Sequence, residues 1–344
     1  MLNPTLEEIK CFVAATSGAD GRNTNTELKN YPVYSTLLSD VRTPVEVLRI
    51  LRNVSSHVYM LESVSGDEKF GRYTFLGYDP KTVITCLDGK LKLGDVTIET
   101  RHPEDYIRQL LAAHKSPKVD GLPPFTGGLV GYFAYDYIKY PEPSLRLDAK
   151  DSDGFNDFDL MLFDKVIAFD NQLQKIFLIA NISLDNIDEE YNMAGLEIRR
   201  MEQLILHGEP KHEVPGVLKS DFRPLFTKEE FCEKVRKVKN YIHEGDIFQL
   251  VLSNRLEADF EGSLLDTYRV LRTINPSPYM FFISGTDVEI AGASPETLTK
   301  LEDGVLHTFP LAGSRSRGKT YEEDMALEKD LLSDPKELSE HNML

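Results

Sequence analysis

Two stretches in which apolar and polar residues alternate, each folded back on a turn dipeptide, constrain this chain more than any other feature. Residues 81–99 alternate around Asp88-Gly89, and residues 160–182 alternate around Asp170-Asn171. A period of two turns one face of each segment to a core, and a two-residue turn makes the neighbouring strands antiparallel. Further short strands are expected at 58–61 and 73–76, separated by Ser65-Gly66-Asp67. Later strands are expected at 247–252, 279–283, 288–291, 297–301 and 305–309, with turns at Gly285 and Asp303-Gly304. Helices come between them. Thr43 is an N-cap with Pro44 at the first helical position and Glu46 closing a capping box. Residues 103–113, 191–208 and 263–273 read as helices. A second capping box, Thr227 to Glu230, opens a helix with the stripe Phe231, Val235, Val238 and Ile242, stopped by Gly245. The fold class is therefore α+β, with antiparallel sheets and packed helices rather than a parallel βαβ fold.

At 344 residues the chain should hold about two domains. The segment 209–221, with Pro210 and Pro215 and no long apolar run, is the natural linker. The expected division is thus a first domain at 1–208 and a second at 222–344. Against 39 basic residues stand 56 acidic ones, a net charge of −17 that disfavours nucleic acid and anionic membranes as partners. No apolar run is long enough to span a bilayer, and the N-terminus lacks the features of a signal peptide. Cys11, Cys86 and Cys232 are far apart and form no CxxC pair, which argues against a disulfide scaffold or zinc site and for the cytoplasm. The chain stops at His341-Asn-Met-Leu344 in an apolar run without a stop signal, so the second domain is expected to be incomplete.

Each short motif has a plain structural reading. Asn275-Pro-Ser-Pro-Tyr-Met280 stops a helix and turns into a strand. Leu61-Glu62-Ser63 ends a core strand, and Gly127-Gly-Leu-Val-Gly131 reads as a flexible turn without the spacing of a nucleotide loop. Ala293-Ser-Pro-Glu296 is a turn after a strand. Pro310-Leu-Ala-Gly-Ser314, followed by Arg315, Arg317 and Lys319, offers backbone N–H groups and cations to an anion.

Taken in order, these motifs resemble component I of the anthranilate synthases, within the superfamily of chorismate-utilising enzymes. The likeness rests on Leu61-Glu-Ser63, Gly71-Arg-Tyr-Thr-Phe-Leu-Gly77 and Phe125-Thr-Gly-Gly-Leu-Val-Gly-Tyr-Phe-Ala-Tyr-Asp136. It continues through Gly245-Asp-Ile-Phe-Gln-Leu-Val-Leu-Ser253, Asn275 to Met280, Ala293 to Glu296, Pro310 to Ser314 and Glu337-Leu-Ser-Glu-His341. The resemblance implies a two-domain sandwich and a Mg²⁺ ion bound by few glutamates and a substrate carboxylate, with Glu340 the first of two metal glutamates. It implies Glu296 as the general acid for the chorismate C4 hydroxyl, and Gly313 and Ser314, beside Ala312, as the substrate-binding loop. Gln249 stands where water-using relatives have a lysine base. Water must be deprotonated to attack and ammonia need not be, so a neutral Gln249 suits ammonia. Ala312 cannot form the covalent adduct of aminodeoxychorismate synthases, which carry a lysine in that loop.

By the same resemblance, Leu61, Glu62 and Ser63, with Asn275, Pro278, Tyr279 and Met280, form the two halves of a tryptophan feedback site, expected away from Glu296. Ammonia would come from a glutamine amidotransferase subunit, because the chain has no nucleophile elbow of its own. The expected activity is chorismate plus ammonia to anthranilate plus pyruvate. The alternatives are aminodeoxychorismate synthase component I and a non-catalytic tryptophan-binding fragment. His341 is expected to be structural. Residues 1–344 alone are expected to lack synthase activity, to leave strands such as 279–283 with unpaired edges, and to contain a first domain that folds up to about Gly208.

Overall fold

The computed structural model describes residues 2–17, 28–63, 71–147, 151 and 153–344. The turn expected at Ser65-Gly66-Asp67 lies outside them. The first part of the chain runs α1 (Leu6–Ser17), β1 (Asn30–Leu38), α2 (Pro44–Val54), β2 (Val58–Glu62), β3 (Tyr73–Tyr78), β4 (Thr82–Leu87), β5 (Lys90–Leu93), β6 (Val96–Glu99) and α3 (Pro103–Ala112). It continues with β7 (Gly128–Phe133), a 3₁₀ turn at Tyr135–Lys139, β8 (Phe158–Phe163), β9 (Lys165–Asp170), β10 (Lys175–Ser183) and α4 (Ile187–His207). The turn dipeptides act as their chemistry requires: Asp88 and Gly89 both take positive φ between β4 and β5. Thr43 Oγ1 caps α2 by accepting from the Glu46 N–H, but Glu46 itself pairs with Arg42, so only half of the expected capping box forms.

After α4 come the two-residue strands β11 (Val217–Leu218) and β12 (Arg223–Pro224), α5 (Lys228–Glu244), β13 (Leu256–Glu257), β14 (Phe260–Glu261) and α6 (Leu265–Ile274). Then follow β15 (Tyr279–Ser284), β16 (Glu289–Ser294), β17 (Thr297–Glu302), β18 (Val305–Phe309), α7 (Tyr321–Ser333) and α8 (Pro335–Met343). The capping box at Thr227 and Glu230 is complete, and Gly245 ends α5 in the left-handed conformation.

Two antiparallel sheets stack face to face. The larger has seven strands in the order β1-β10-β9-β3-β2-β15-β16, the smaller five in the order β6-β5-β4-β8-β7. The alternating segment 160–182 serves both: β8 belongs to the small sheet and β9 with β10 to the large one, the chain changing sheets at Asp164. One face of the large sheet packs on α1, α2, α4 and α6 through residues such as Ile9, Leu48, Ile198 and Tyr268. Its other face meets the small sheet through Tyr59, Val130, Met161, Phe163 and Ile283. The outer face of the small sheet is covered by α3 and the 3₁₀ turn. The order of layers is thus helices, sheet, sheet, helix.

The hydrogen-bonded sheet does not stop at 209–221: β15, from beyond the expected linker, pairs with β2 on one side and β16 on the other. The expectation that 279–283 would present unpaired edges is therefore corrected. Another correction falls at 247–252, where no strand forms; Phe248 and Val251 are 87% and 86% exposed, with no ladder to enter. Gly128 and Gly131 lie within β7, not in a flexible turn. A side chain on Gly131 would strike the backbone carbonyl of Asp159 in the neighbouring strand, so glycine here serves close approach. Helices α5, α7 and α8 bury no residue.

Candidate functional site

A cleft of about 880 Å³ opens where β2 ends beside β15, lined among others by Glu62, Ser63, Pro278, Tyr279 and Glu296. Sheet register creates it. Glu62 stands directly opposite Met280 and Leu61 opposite Phe281, so the Leu61–Ser63 and Asn275–Met280 motifs lie on adjacent strands. Pro276 and Pro278 break the chain after α6, and Asn275 closes that helix through its N–H on the Leu271 carbonyl. Met280 is buried and turned into the helix-covered core, whereas Tyr279 lines the cleft and its hydroxyl shares a hydrogen bond with Thr297.

The Glu62 side chain is almost fully buried. Tyr268 donates its hydroxyl to Oε1 at 2.6 Å, Arg272 Nη2 donates to Oε2 at 2.8 Å, and Arg272 Nε also reaches Oε1. Burial alone would lower the Arg272 guanidinium, but the Glu62 carboxylate more than compensates and raises it. A carboxylate accepts about four hydrogen bonds, so roughly one site is left toward the cleft. Ser63 Oγ is buried and has no hydrogen-bond partner among the described residues. At the rim Arg72 holds Asp170 and lies 4.8 Å over the Tyr73 ring. Tyr268 and Arg272 carry no local signal in the sequence, because their partner Glu62 is distant along the chain; Arg72 falls in the Gly71–Gly77 motif, which does not reveal its partner Asp170.

Glu296 is exposed and lines this same cleft, which corrects the expectation that the regulatory motifs lie away from it. The other expected catalytic groups gather elsewhere. Gln249 Nε2 donates to Glu340 Oε1 at 3.2 Å, and Lys336 lies 3.7 Å from Glu340 Oε2. Gly313 abuts the Glu337 side chain of α8, leaving no room for a Cβ. Beyond Ala312 and Ser314, Arg315 is fixed by Asp330 and Asp334, both at 2.8 Å. Two of the three cations after the loop are thereby engaged: Arg317 also pairs, with Asp324. His341 is exposed. Among the described residues no three His, Cys, Asp or Glu side chains are grouped to hold a metal. Glu337 and Glu340, one turn apart on α8, both offer carboxylates there and both lie near Lys336, donors that suit a hard cation only together with ligand oxygens.

Two stacked antiparallel sheets with helices on the outer faces, and paired motifs meeting across β2 and β15, define the class. The chain belongs to the chorismate binding enzymes, whose family model matches residues 56–344. It is 41% identical to anthranilate synthase component 1 of Acinetobacter calcoaceticus over 91% of this chain and 65% of that protein. With anthranilate synthase component 1 of Acetivibrio thermocellus it shares 36% identity over 100% of this chain and 69% of the relative. The crystal structure of anthranilate synthase component I from Streptococcus pneumoniae TIGR4 superposes with a TM-score of 0.64 at 31% identity, covering 90% of this chain and 66% of that one. The chain spans about two thirds of the length of these relatives. Among the described residues no helix is long and apolar enough to cross a membrane.

Proposed function

We propose that the chain is the chorismate-using part of an anthranilate synthase, a cytoplasmic carbon–oxygen lyase converting chorismate and ammonia to anthranilate and pyruvate in tryptophan biosynthesis. The observation that carries this reading is the 36–41% identity, over 91–100% of the chain, to proteins named anthranilate synthase component 1. The side chains agree with it. Gln249 is a neutral amide at the position of a water-activating base, and Ala312 offers no nucleophile.

In this reading Gly313 and Ser314 present an N–H and a hydroxyl to the substrate. Glu296 gives a proton to the oxygen leaving C4, which requires the substrate to reach from the 312–314 loop to the cleft that Glu296 lines. Mg²⁺, when bound, supplies positive charge for the substrate carboxylate, and Glu340 is the residue that would hold it. Ammonia is delivered by a glutamine amidotransferase subunit. Tryptophan occupies the cleft at Ser63 as feedback inhibitor, its ammonium on the remaining site of Glu62 and on the Ser63 hydroxyl.

The test is to give the full product of the gene chorismate, an ammonium salt and Mg²⁺ and to follow anthranilate fluorescence. Anthranilate should accumulate, and tryptophan should suppress it. Accumulation of 4-amino-4-deoxychorismate would assign the chain to the sibling synthases, and tryptophan binding without turnover to a regulatory protein.

A further inference from the structure

The inner face of the small sheet is apolar where it meets the large sheet and turns polar one row further along. Val130, Met161 and Val83 are neighbours across β7, β8 and β4 and pack in the core between the sheets. Two residues on, the row reads Tyr132, Asp159, Thr85 and Lys92 across β7, β8, β4 and β5. Asp159, Thr85 and Lys92 of this row line a cavity of about 470 Å³ that Thr286 and Asp287 in the β15–β16 turn also line. The turn comes so near that a side chain on Gly285 would begin 3.6 Å from Asp159 Oδ2. Thr286 is held in place by His57 at 2.9 Å.

Asp159 is only 8% exposed and lines the cavity; its backbone is paired on both sides, but its carboxylate has no hydrogen bond or ion pair to any described residue. Burial pushes its carboxyl up, His57 pulls it back, and Asp287 adds to the rise. Lys90 and Lys92 line the same cavity and make no ion pair with any described residue either. An unpaired buried carboxylate is costly, and a sheet interior normally neutralises one. Here the register prevents it: Lys92 is two strands from Asp159, about 10 Å between their backbones, with Thr85 between.

The ligand chemistry follows from these charges. Of the three carboxylates lining the cavity, Asp88 is matched by Lys139, which leaves Asp159 and Asp287 facing Lys90 and Lys92. A lone cation would leave the two lysines unmatched and meet their repulsion, and the described residues form no metal-binding group. A lone anion would be repelled by Asp159. A molecule carrying an ammonium and a carboxylate a few ångströms apart satisfies both ends. We propose that this cavity binds a small polar α-amino acid, its ammonium on Asp159 and its carboxylate on Lys92. The site shares no lining residue with the cleft at Ser63.

Titration calorimetry of residues 1–344 with L-serine tests the proposal, with L-serinamide (no carboxylate) and N-acetyl-L-serine (no ammonium) as companion probes. L-Serine should bind with one-to-one stoichiometry, and each companion should bind more than about tenfold weaker. Lys92→Gln, a change at an exposed residue that keeps the fold, should weaken L-serine by a similar factor. Asp159→Asn should abolish binding and raise the melting temperature of the unliganded chain by removing the unpaired charge. Ser63→Phe should leave L-serine binding unchanged. The proposal is overturned if L-serine does not bind at millimolar concentration, if the companion probes bind as well as L-serine, or if Lys92→Gln has no effect.

Discussion

The guanidinium of Arg272, in the last turn of α6, holds the buried carboxylate of Glu62 at the end of β2, with 2.8 Å between Nη2 and Oε2. The helix before the Asn275–Met280 motif is thereby tied to the strand that carries the Leu61–Ser63 motif. Arg272→Gln removes one partner of a buried pair and strands the other, a change that costs about 3 kcal/mol. Urea denaturation should show that loss. Adding Glu62→Gln to it should recover most of the stability, because no uncompensated charge is then left inside.

Ser63 tests the cleft itself. Its hydroxyl is buried without a partner among the described residues, and a phenyl ring in its place would fill space beside Pro278 and Tyr279. In the full gene product Ser63→Phe should raise the tryptophan concentration needed for half inhibition by more than about tenfold. The uninhibited rate should change much less. Equal loss of both would mean that Ser63 is simply part of the packing.

Gly131 tests the small sheet. Because β7 and β8 run so close there, Gly131→Ala must push the Asp159 backbone away and break the ladder. A destabilisation of about 3 kcal/mol is expected, read as a lowered melting temperature. Gly121→Ala is the control: its φ is positive, but nothing lies near a Cβ there, so only a modest backbone cost applies.

Asp170 tests the response to acid. Burial would raise its carboxyl, but Arg72 and the Leu173 and Gln172 N–H groups outweigh that and hold it below the usual carboxylate range. The folded state therefore binds this proton less readily than the unfolded chain. The stabilisation is complete above the unfolded value of about 4 and is lost as pH falls through the depressed folded value. Asp170→Asn should lower stability at neutral pH by about 1–3 kcal/mol and flatten its decline below pH 4, as measured by urea midpoints across pH.

What the sequence revealed and what it hid divide along the distance between partners. The hairpins at Asp88-Gly89 and Asp303-Gly304 and the cap at Thr227 were legible because each rests on residues within a few positions. The exchange of sheets at Asp164 was not, since alternation looks the same whichever sheet receives it. Helix α1 and strand β1 carried no signal strong enough to expect them. The strand expected at 247–252 failed because an apolar run forms a strand only where another strand receives it. In the cleft, motif order identified Glu62, Ser63 and Tyr279, but their neighbours Tyr268 and Arg272 emerge only when α6 packs on the sheet.

The pairing of β2 with β15 also sets a clock. Strand β2 is made early, and its partner is among the later elements, after roughly two hundred intervening residues. At a synthesis rate of about 5–20 residues per second that interval is on the order of ten seconds or more. Until β15 arrives, the inner edge of the large sheet is open, with Val58, Tyr59 and Met60 ready to pair with any passing strand. A nascent chain halted after α4 holds five of the seven strands of the large sheet with its β2 edge unpaired, so the time spent on the ribosome between these two strands is when that edge is most open to other chains.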